Sequence, residues 1–141
     1  MHAKPPDARR PPQSSRPTHT RRSWTDKFID AFRGFGEGVR GQSSFVVHFA
    51  AAAAVLLAAA VLRLAPGEWC LLILCIAMVL AAEMFNSALE SLAKAIDDRP
   101  NPHVGRALNI ASAAVLIAAA GAATVGTIIF ARRLFGVTGG G

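Results

Sequence analysis

The sequence has few cysteines and, over its first residues, few hydrophobic side chains, and each shortage excludes a class of structure. Cys70 and Cys75 lie five residues apart inside an apolar run, which suits neither a disulfide framework nor a zinc site. Residues 1–22 are rich in Pro, Arg, Ser and Thr and contain no large hydrophobic residue after Met1. Such a segment cannot bury enough apolar area to offset its ordering entropy, so we expect a disordered basic N-terminal tail over residues 1–22.

Two further motifs are missing. The first apolar run begins near residue 45, too late for a cleavable signal peptide. No G-x-x-x-x-G-K-[ST] phosphate loop is present. Gly36, Gly38 and Gly41 do spell G-x-G-x-x-G, but a charged amphipathic segment precedes them instead of a hydrophobic strand. We therefore interpret these glycines as a hinge toward a membrane span, not as a dinucleotide site.

Positive charge is concentrated at the start of the chain. Residues 1–40 hold nine Lys and Arg against four Asp and Glu, in a chain of net charge +6. A basic flank beside a hydrophobic span favours a cytoplasmic N-terminus near anionic headgroups. Arg132 and Arg133 at the other end favour the opposite orientation, but they are two against nine. Nucleic-acid binding would require a folded basic face with aromatic residues, which this flank lacks, so we expect no nucleic-acid partner.

The remainder predicts an all-α membrane protein. Aromatic and aliphatic residues recur at steps of three and four from Trp24, which predicts an amphipathic surface helix over residues 23–41 with Ser23 as its N-cap. Three long apolar runs follow, each compatible with the ~20 residues that cross a ~30 Å hydrocarbon layer. The predicted membrane domain covers residues 23–132, with spans at about 45–63, 68–95 and 104–132 and a flexible tail over 133–141. Small residues in the third span favour a tightly packed bundle, within or between subunits.

Four polar residues on the second span are the most informative feature. These residues are Glu83 and, three, four and seven positions after it, Asn86, Ser87 and Glu90. This spacing places all four within about 100° of arc on one helix face. Ionisable groups in a span cost a few kcal/mol, on the order of 3 each. Three interpretations remain open: a site for a divalent metal and phosphate, a general base acting on a lipid hydroxyl, or a solvated stripe at the headgroup level.

Polar residues elsewhere allow two interpretations each. His48, near the cytoplasmic end of the first span, fits helix packing or a headgroup contact better than metal ligation. Arg106 could bind phosphate or only reach the membrane surface. Asn109 could cap the third span or belong to a site.

The run Glu83-Met84-Phe85-Asn86-Ser87-Ala88-Leu89-Glu90 resembles the E-x-x-N-[ST]-A-[IL]-E motif of the prokaryotic diacylglycerol kinases, a family that includes undecaprenol kinases. His103, the run from Gly105 to Ala107, and the run from Ala111 to Val115 extend the resemblance. It implies a homotrimer of three-span subunits in the bacterial inner membrane, with the N-terminus in the cytoplasm. It also implies ATP with Mg²⁺ as cofactor and a membrane lipid as substrate and partner, above all diacylglycerol, which would become phosphatidic acid.

The resemblance also assigns roles to residues. Glu90 would be the catalytic base and, with Gln42, would hold the metal; the residues lining the substrate and nucleotide would be Glu83, Asn86, Ser87, Arg106 and Asn109. The chain departs from the family where Gln42 replaces a Glu, where Leu108-Asn109 replaces Lys-Asp, and where Lys94 replaces an Asp. An undecaprenol kinase and a non-catalytic lipid-binding homologue that kept the scaffold therefore stay open as alternatives.

Overall fold

A computed structural model describes residues 23–40, 43–96 and 101–136, and the regular structure of these residues is entirely helical. The helices are α1 (Trp24–Val39), α2 (Ser43–Val61), α3 (Pro66–Ile96) and α4 (Pro102–Leu134). The last three are long and apolar enough to cross a membrane. The predicted all-α class with three spanning helices is confirmed. The predicted tail over 1–22 lies outside the described residues, and α4 continues two residues into the segment predicted as a C-terminal tail.

A reciprocal capping box starts α1. The backbone N–H of Thr25 donates to Ser23 Oγ at 3.2 Å, and the backbone N–H of Ser23 donates to Asp26 Oδ2 at 3.1 Å. Ser23 is therefore the N-cap, as the sequence predicted. The helix continues through Gly34, Gly36 and Gly38 to Val39. Because Gly36 and Gly38 lie inside a helix, they do not form the strand-to-helix loop that a dinucleotide site needs.

The turn between α2 and α3 is a Schellman motif. Leu64 N–H donates to Ala59 C=O and Arg63 N–H donates to Ala60 C=O, both at 3.2 Å. Arg63 takes the left-handed conformation of this motif, with φ of 51°. Leu64 is buried with Ala59 in an apolar cluster that also contains Leu72 of α3 and Ile129 of α4. The turn predicted between the first two spans is therefore a packed corner where all three spanning helices meet.

Glu68 fixes the start of α3. Its Oε2 accepts the backbone N–H of Ala65 at 2.8 Å, just before Pro66 opens the helix. The 31 residues of α3 make a helix about 46 Å long at about 1.5 Å per residue, longer than a ~30 Å hydrocarbon layer. With Trp69 at one boundary of that layer, Glu83 lies about 9 Å inside the opposite boundary and Glu90 lies close to it.

Helix α1 approaches α3 closely at one glycine. A Cβ at Gly38 would lie 2.7 Å from Met84 Cε and 2.9 Å from Met84 Sδ. Only a residue without a side chain fits while Met84 keeps its position. The contact holds the end of α1 against α3 beside Glu83.

Candidate functional site: a buried carboxylate and amide stripe

The four polar residues of α3 share one inward face. Among the described residues, the buried polar side chains are Glu83, Asn86 and Ser87, at 3%, 8% and 5% exposure. Glu90 is half-buried. Phe85, on another face of the same helix, is exposed. The stripe therefore faces packed helices, and the interpretation that it is simply solvated fails for its three buried members.

Asn86 links α3 to α4 and orients Glu90. Its Nδ2 donates to Glu90 Oε1 at 2.8 Å, and its Oδ1 accepts a longer hydrogen bond from Ser112 Oγ at 3.4 Å. The Ser112 hydroxyl also lies 3.0 Å from the carbonyl oxygen of Leu108. One amide thus uses both its donor and its acceptor, which fixes its orientation. Glu90 is held by a donor that is itself anchored on a neighbouring helix.

Glu83 faces the opposite neighbour, α2. Its Oε2 lies 3.9 Å from His48 Nε2, and the two side chains are 4% and 21% exposed. This distance falls within ion-pair range but exceeds that of a direct hydrogen bond. His48 therefore packs against α3, which is one of the interpretations that the sequence favours for it. Glu83 therefore has a polar neighbour on α2, whereas Glu90 has one on α3 itself.

The other predicted site residues are Ser87 on α3 and Arg106 and Asn109 on α4. Ser87 donates to the carbonyl oxygen of Glu83 at 3.0 Å, within its own helix. Arg106 and Asn109 lie on the exposed surface of α4. Asn109 is not a helix cap: Asn101 caps α4, and its Oδ1 accepts the backbone N–H of His103 at 2.9 Å.

Of the two residues predicted to hold the metal, the structure describes one. Gln42 lies outside the described residues, whereas Glu90 is described. The described part of the chain has no cluster of three or more His, Cys, Asp or Glu side chains that could hold a metal ion. The oxygen donors of the stripe nevertheless suit a hard cation, because Mg²⁺ in phosphoryl-transfer sites is bound by one or two carboxylates together with substrate phosphates.

Apolar space borders the stripe on two sides. A groove of about 620 Å³ runs between α2, α3 and α4, from His48 at one end to Phe135 at the other. Its lining is otherwise mainly aliphatic, with Val55, Leu72 and Val79 among its walls. A second hollow of about 490 Å³ lies between α3 and α4 and includes Asn86. The polar stripe is therefore bordered by apolar hollows among the three long helices.

Two residues of this network, His48 and Ser112, were not among the predicted site residues. The sequence favours helix packing or a headgroup contact for His48, and it indicates that Ser112 is one of the small residues of the third span. Both sit on helices adjacent to α3 and contact the stripe from opposite sides. The signal that could have identified Ser112 is its position, since Asn86 and Ser112 are each ten residues from the facing ends of α3 and α4, and such residues lie at the same depth in antiparallel helices.

These features define a multi-pass membrane protein whose buried polar stripe lies toward one end of its spans. The sequence profile of the prokaryotic diacylglycerol kinases matches residues 30–130, more than half of the chain and the whole of the stripe. The chain belongs to the prokaryotic diacylglycerol kinase family, and this membership indicates a lipid kinase with ATP as co-substrate. No individual curated protein matches the chain.

Proposed function

We propose that the protein transfers the γ-phosphoryl group of ATP to the hydroxyl of a membrane lipid, with diacylglycerol as the acceptor and phosphatidic acid as the product. One observation supports this above the others: Glu90, at the boundary of the hydrocarbon layer, receives a 2.8 Å hydrogen bond from Asn86. A carboxylate held there can meet both a water-borne nucleotide and a lipid alcohol.

The proposed reaction assigns Glu90 as the general base. Its carboxylate takes the proton of the lipid hydroxyl as the new oxygen–phosphorus bond forms, and the bond from the γ-phosphorus to the bridging oxygen breaks, releasing ADP. The Asn86 amide keeps one carboxylate oxygen oriented throughout. Because phosphoryl transfer depends mainly on positioning and on compensation of phosphate charge, the fixed orientation of Glu90 is the chief contribution of these residues.

Glu90 and Gln42 would hold Mg²⁺, which would compensate the charge of the phosphates when bound. Glu83, Asn86 and Ser87 would line the substrate site from α3, and Arg106 and Asn109 would approach it from α4. The proposal also includes a homotrimer in the bacterial inner membrane with a cytoplasmic N-terminus and with α1 on the membrane surface. The apolar face of α1 supports this last point, since Trp24, Phe28 and Phe32 are all exposed.

Phosphorylation of undecaprenol is the nearest alternative, because an apolar groove accepts either hydrocarbon. A non-catalytic homologue is the alternative from another class. Gln42, Lys94, Leu108 and Asn109 favour it, since each differs in charge from the residue in the family motif that it replaces.

The test is transfer of labelled phosphate in mixed micelles that contain Mg²⁺ and either diacylglycerol or undecaprenol. The wild type should phosphorylate diacylglycerol. Glu90→Gln should reduce the rate of transfer by a factor of at least about 100, since general bases accelerate reactions by about 10² to 10⁴. Glu68→Gln is the matched control: it makes the same change on α3 about 33 Å from Glu90, and the amide oxygen can still accept the Ala65 N–H.

The outcomes separate the alternatives. Transfer that survives Glu90→Gln contradicts the assigned base. Transfer to undecaprenol alone replaces the acceptor. No transfer to either lipid alcohol supports the non-catalytic homologue.

A further inference from the structure

His48 is the nitrogen-bearing side chain that lines the long apolar groove, and it also makes the contact that reaches Glu83. It occupies the end of the groove where the apolar walls give way to the polar stripe. Its helix, α2, is a separate element from the two that hold Glu90. His48 therefore stands between a space suited to hydrocarbon and a buried carboxylate.

The burial of Glu83 makes this contact consequential. A carboxylate with 4% exposure, about 9 Å inside the hydrocarbon boundary, cannot rely on water to stabilise its charge, and ionisable groups at such depth depend on neighbouring polar partners. His48 is the ionisable side chain that the structure brings to it. At 3.9 Å the imidazole lies about 1 Å beyond direct hydrogen-bonding distance. Such contacts often tighten only when a substrate completes the site.

Glu83 and Glu90 lie at different depths along α3. Two helical turns separate them, about 10 Å along the axis, with Glu83 further into the hydrocarbon layer. Phosphates carry several negative charges and remain near water, whereas the chains of a lipid extend inward. The neighbourhood of His48 and Glu83 therefore suits the part of the lipid below its hydroxyl, whereas Glu90 lies at the depth where the hydroxyl meets the nucleotide.

We propose that His48 is a positioning residue for the lipid side of the site, acting by holding the Glu83 carboxylate at the polar end of the groove. The proposal rests on the lipid kinase activity proposed above. In this role His48 touches Glu83 and not the reacting atoms. Its removal should weaken the use of the lipid while leaving the use of ATP unchanged.

The experiment measures KM for the lipid, as its mole fraction in the micelle, and KM for ATP in the same preparations. His48→Leu should raise KM for the lipid about tenfold, the scale of one hydrogen bond to a charged group, and leave KM for ATP within about twofold of the wild type. His48→Gln keeps an N–H donor at similar reach and should restore most of the lost affinity. Thr124→Val, which removes a hydroxyl bonded to its own helix at Ala120, is the matched control and should change neither KM.

A mutant cycle tests whether His48 acts through Glu83. If it does, His48→Leu should add little to Glu83→Gln, because residues that act as a unit are non-additive. Should His48→Leu fail to fold, as judged by thermal unfolding in micelles, His48→Asn takes its place, since its shorter side chain moves the donor out of reach.

The failures are distinguishable. Wild-type transfer with an unchanged KM for the lipid in His48→Leu overturns the role of His48 alone, and so does an equal rise in both KM values or full additivity with Glu83→Gln. Absence of transfer by the wild type overturns this proposal together with the lipid kinase activity.

Discussion

Arg133, in the last turn of α4, donates a hydrogen bond from Nε to the carbonyl oxygen of Leu62 at 2.9 Å. Its Nη2 donates to the next carbonyl oxygen, that of Arg63, at 2.8 Å. These carbonyls lie at the end of α2, where helix carbonyls lack partners and a positive charge is favourable. Arg133 of the third span thus caps the C-terminal end of the first span. This contact explains why an arginine occurs at the end opposite the basic flank.

Replacing Arg133 should therefore loosen the α2–α3 corner. Arg133→Met should lower the free energy of unfolding by about 1 kcal/mol, the scale of one exposed charge-assisted contact at a helix C-terminus. Thermal unfolding in detergent micelles measures the change. Arg132→Met removes the same charge from the adjacent residue, which points about 100° away on the helix, and should have a smaller effect. Equal effects of the two variants would contradict the capping role.

Arg63 occupies a backbone conformation that favours glycine. With φ of 51°, a side chain at this position costs about 1 kcal/mol or more. Arg63→Gly should unfold at a higher temperature than Arg63→Ala, since both remove the charge and only the first removes the Cβ. The comparison is made by thermal unfolding in the same micelles. An alanine variant as stable as the glycine variant would show that the strain at this position is negligible.

We expect that a carboxylate cannot replace the amide of Asn86. Asn86→Asp substitutes an acceptor for the donor that lies 2.8 Å from Glu90, and two neighbouring carboxylates repel each other. Misplacement of Glu90 should lower kcat by about 100-fold, measured as labelled phosphate transfer to diacylglycerol. Asn101→Asp makes the same change at the N-cap of α4, where Asp is an equally good cap, and should retain activity. Retained activity in Asn86→Asp would show that Glu90 does not need this donor.

Gly38 is expected to tolerate only small side chains. Gly38→Phe must displace Met84 or move α1 away from α3, because even a Cβ would lie within 3 Å of the Met84 side chain. We expect a loss of about 1–3 kcal/mol, typical of overpacking, and faster proteolysis of α1. Gly34→Phe is the control on the same helix, since a Cβ there would meet nothing within 4 Å. If both variants lose the same stability, the cause is helix propensity and not the contact with α3.

Much of this architecture follows from the sequence because membrane helices obey simple rules. Hydropathy and proline positions predict three spans, and the helical period puts Glu83, Asn86 and Glu90 on one face. One cross-helix partner could also have been predicted. Asn86 and Ser112 are equidistant from position 99, between the second and third spans, and equal distance from a connection predicts the equal depth that their contact shows. His48 lies 13 residues before the end of α2 and Glu83 lies 17 residues after the start of α3, so the same rule does not predict their contact.

Other features could not be obtained in this way. The contact of Gly38 with Met84 depends on the angle at which α1 meets the bundle, and no periodicity within α1 encodes that angle. The sequence allows Asn109 to be either a cap or a site residue because it directly precedes the apolar run from Ile110 to Phe130. Asn101 is the cap because Pro102 follows it, and proline is favoured at the first position of a helix.

The length of α3 has a consequence for the host bilayer. Trp69 and Glu90 lie about 32 Å apart along the helix axis, close to the ~30 Å thickness of a typical hydrocarbon layer. In a thicker membrane of long-chain lipids, Glu90 sinks below the headgroups unless the helix adjusts its tilt, and in a thinner one Trp69 loses its place at the opposite surface. The acyl-chain length of the surrounding lipids, independent of any substrate, thereby controls whether this carboxylate lies in hydrocarbon or at the water boundary.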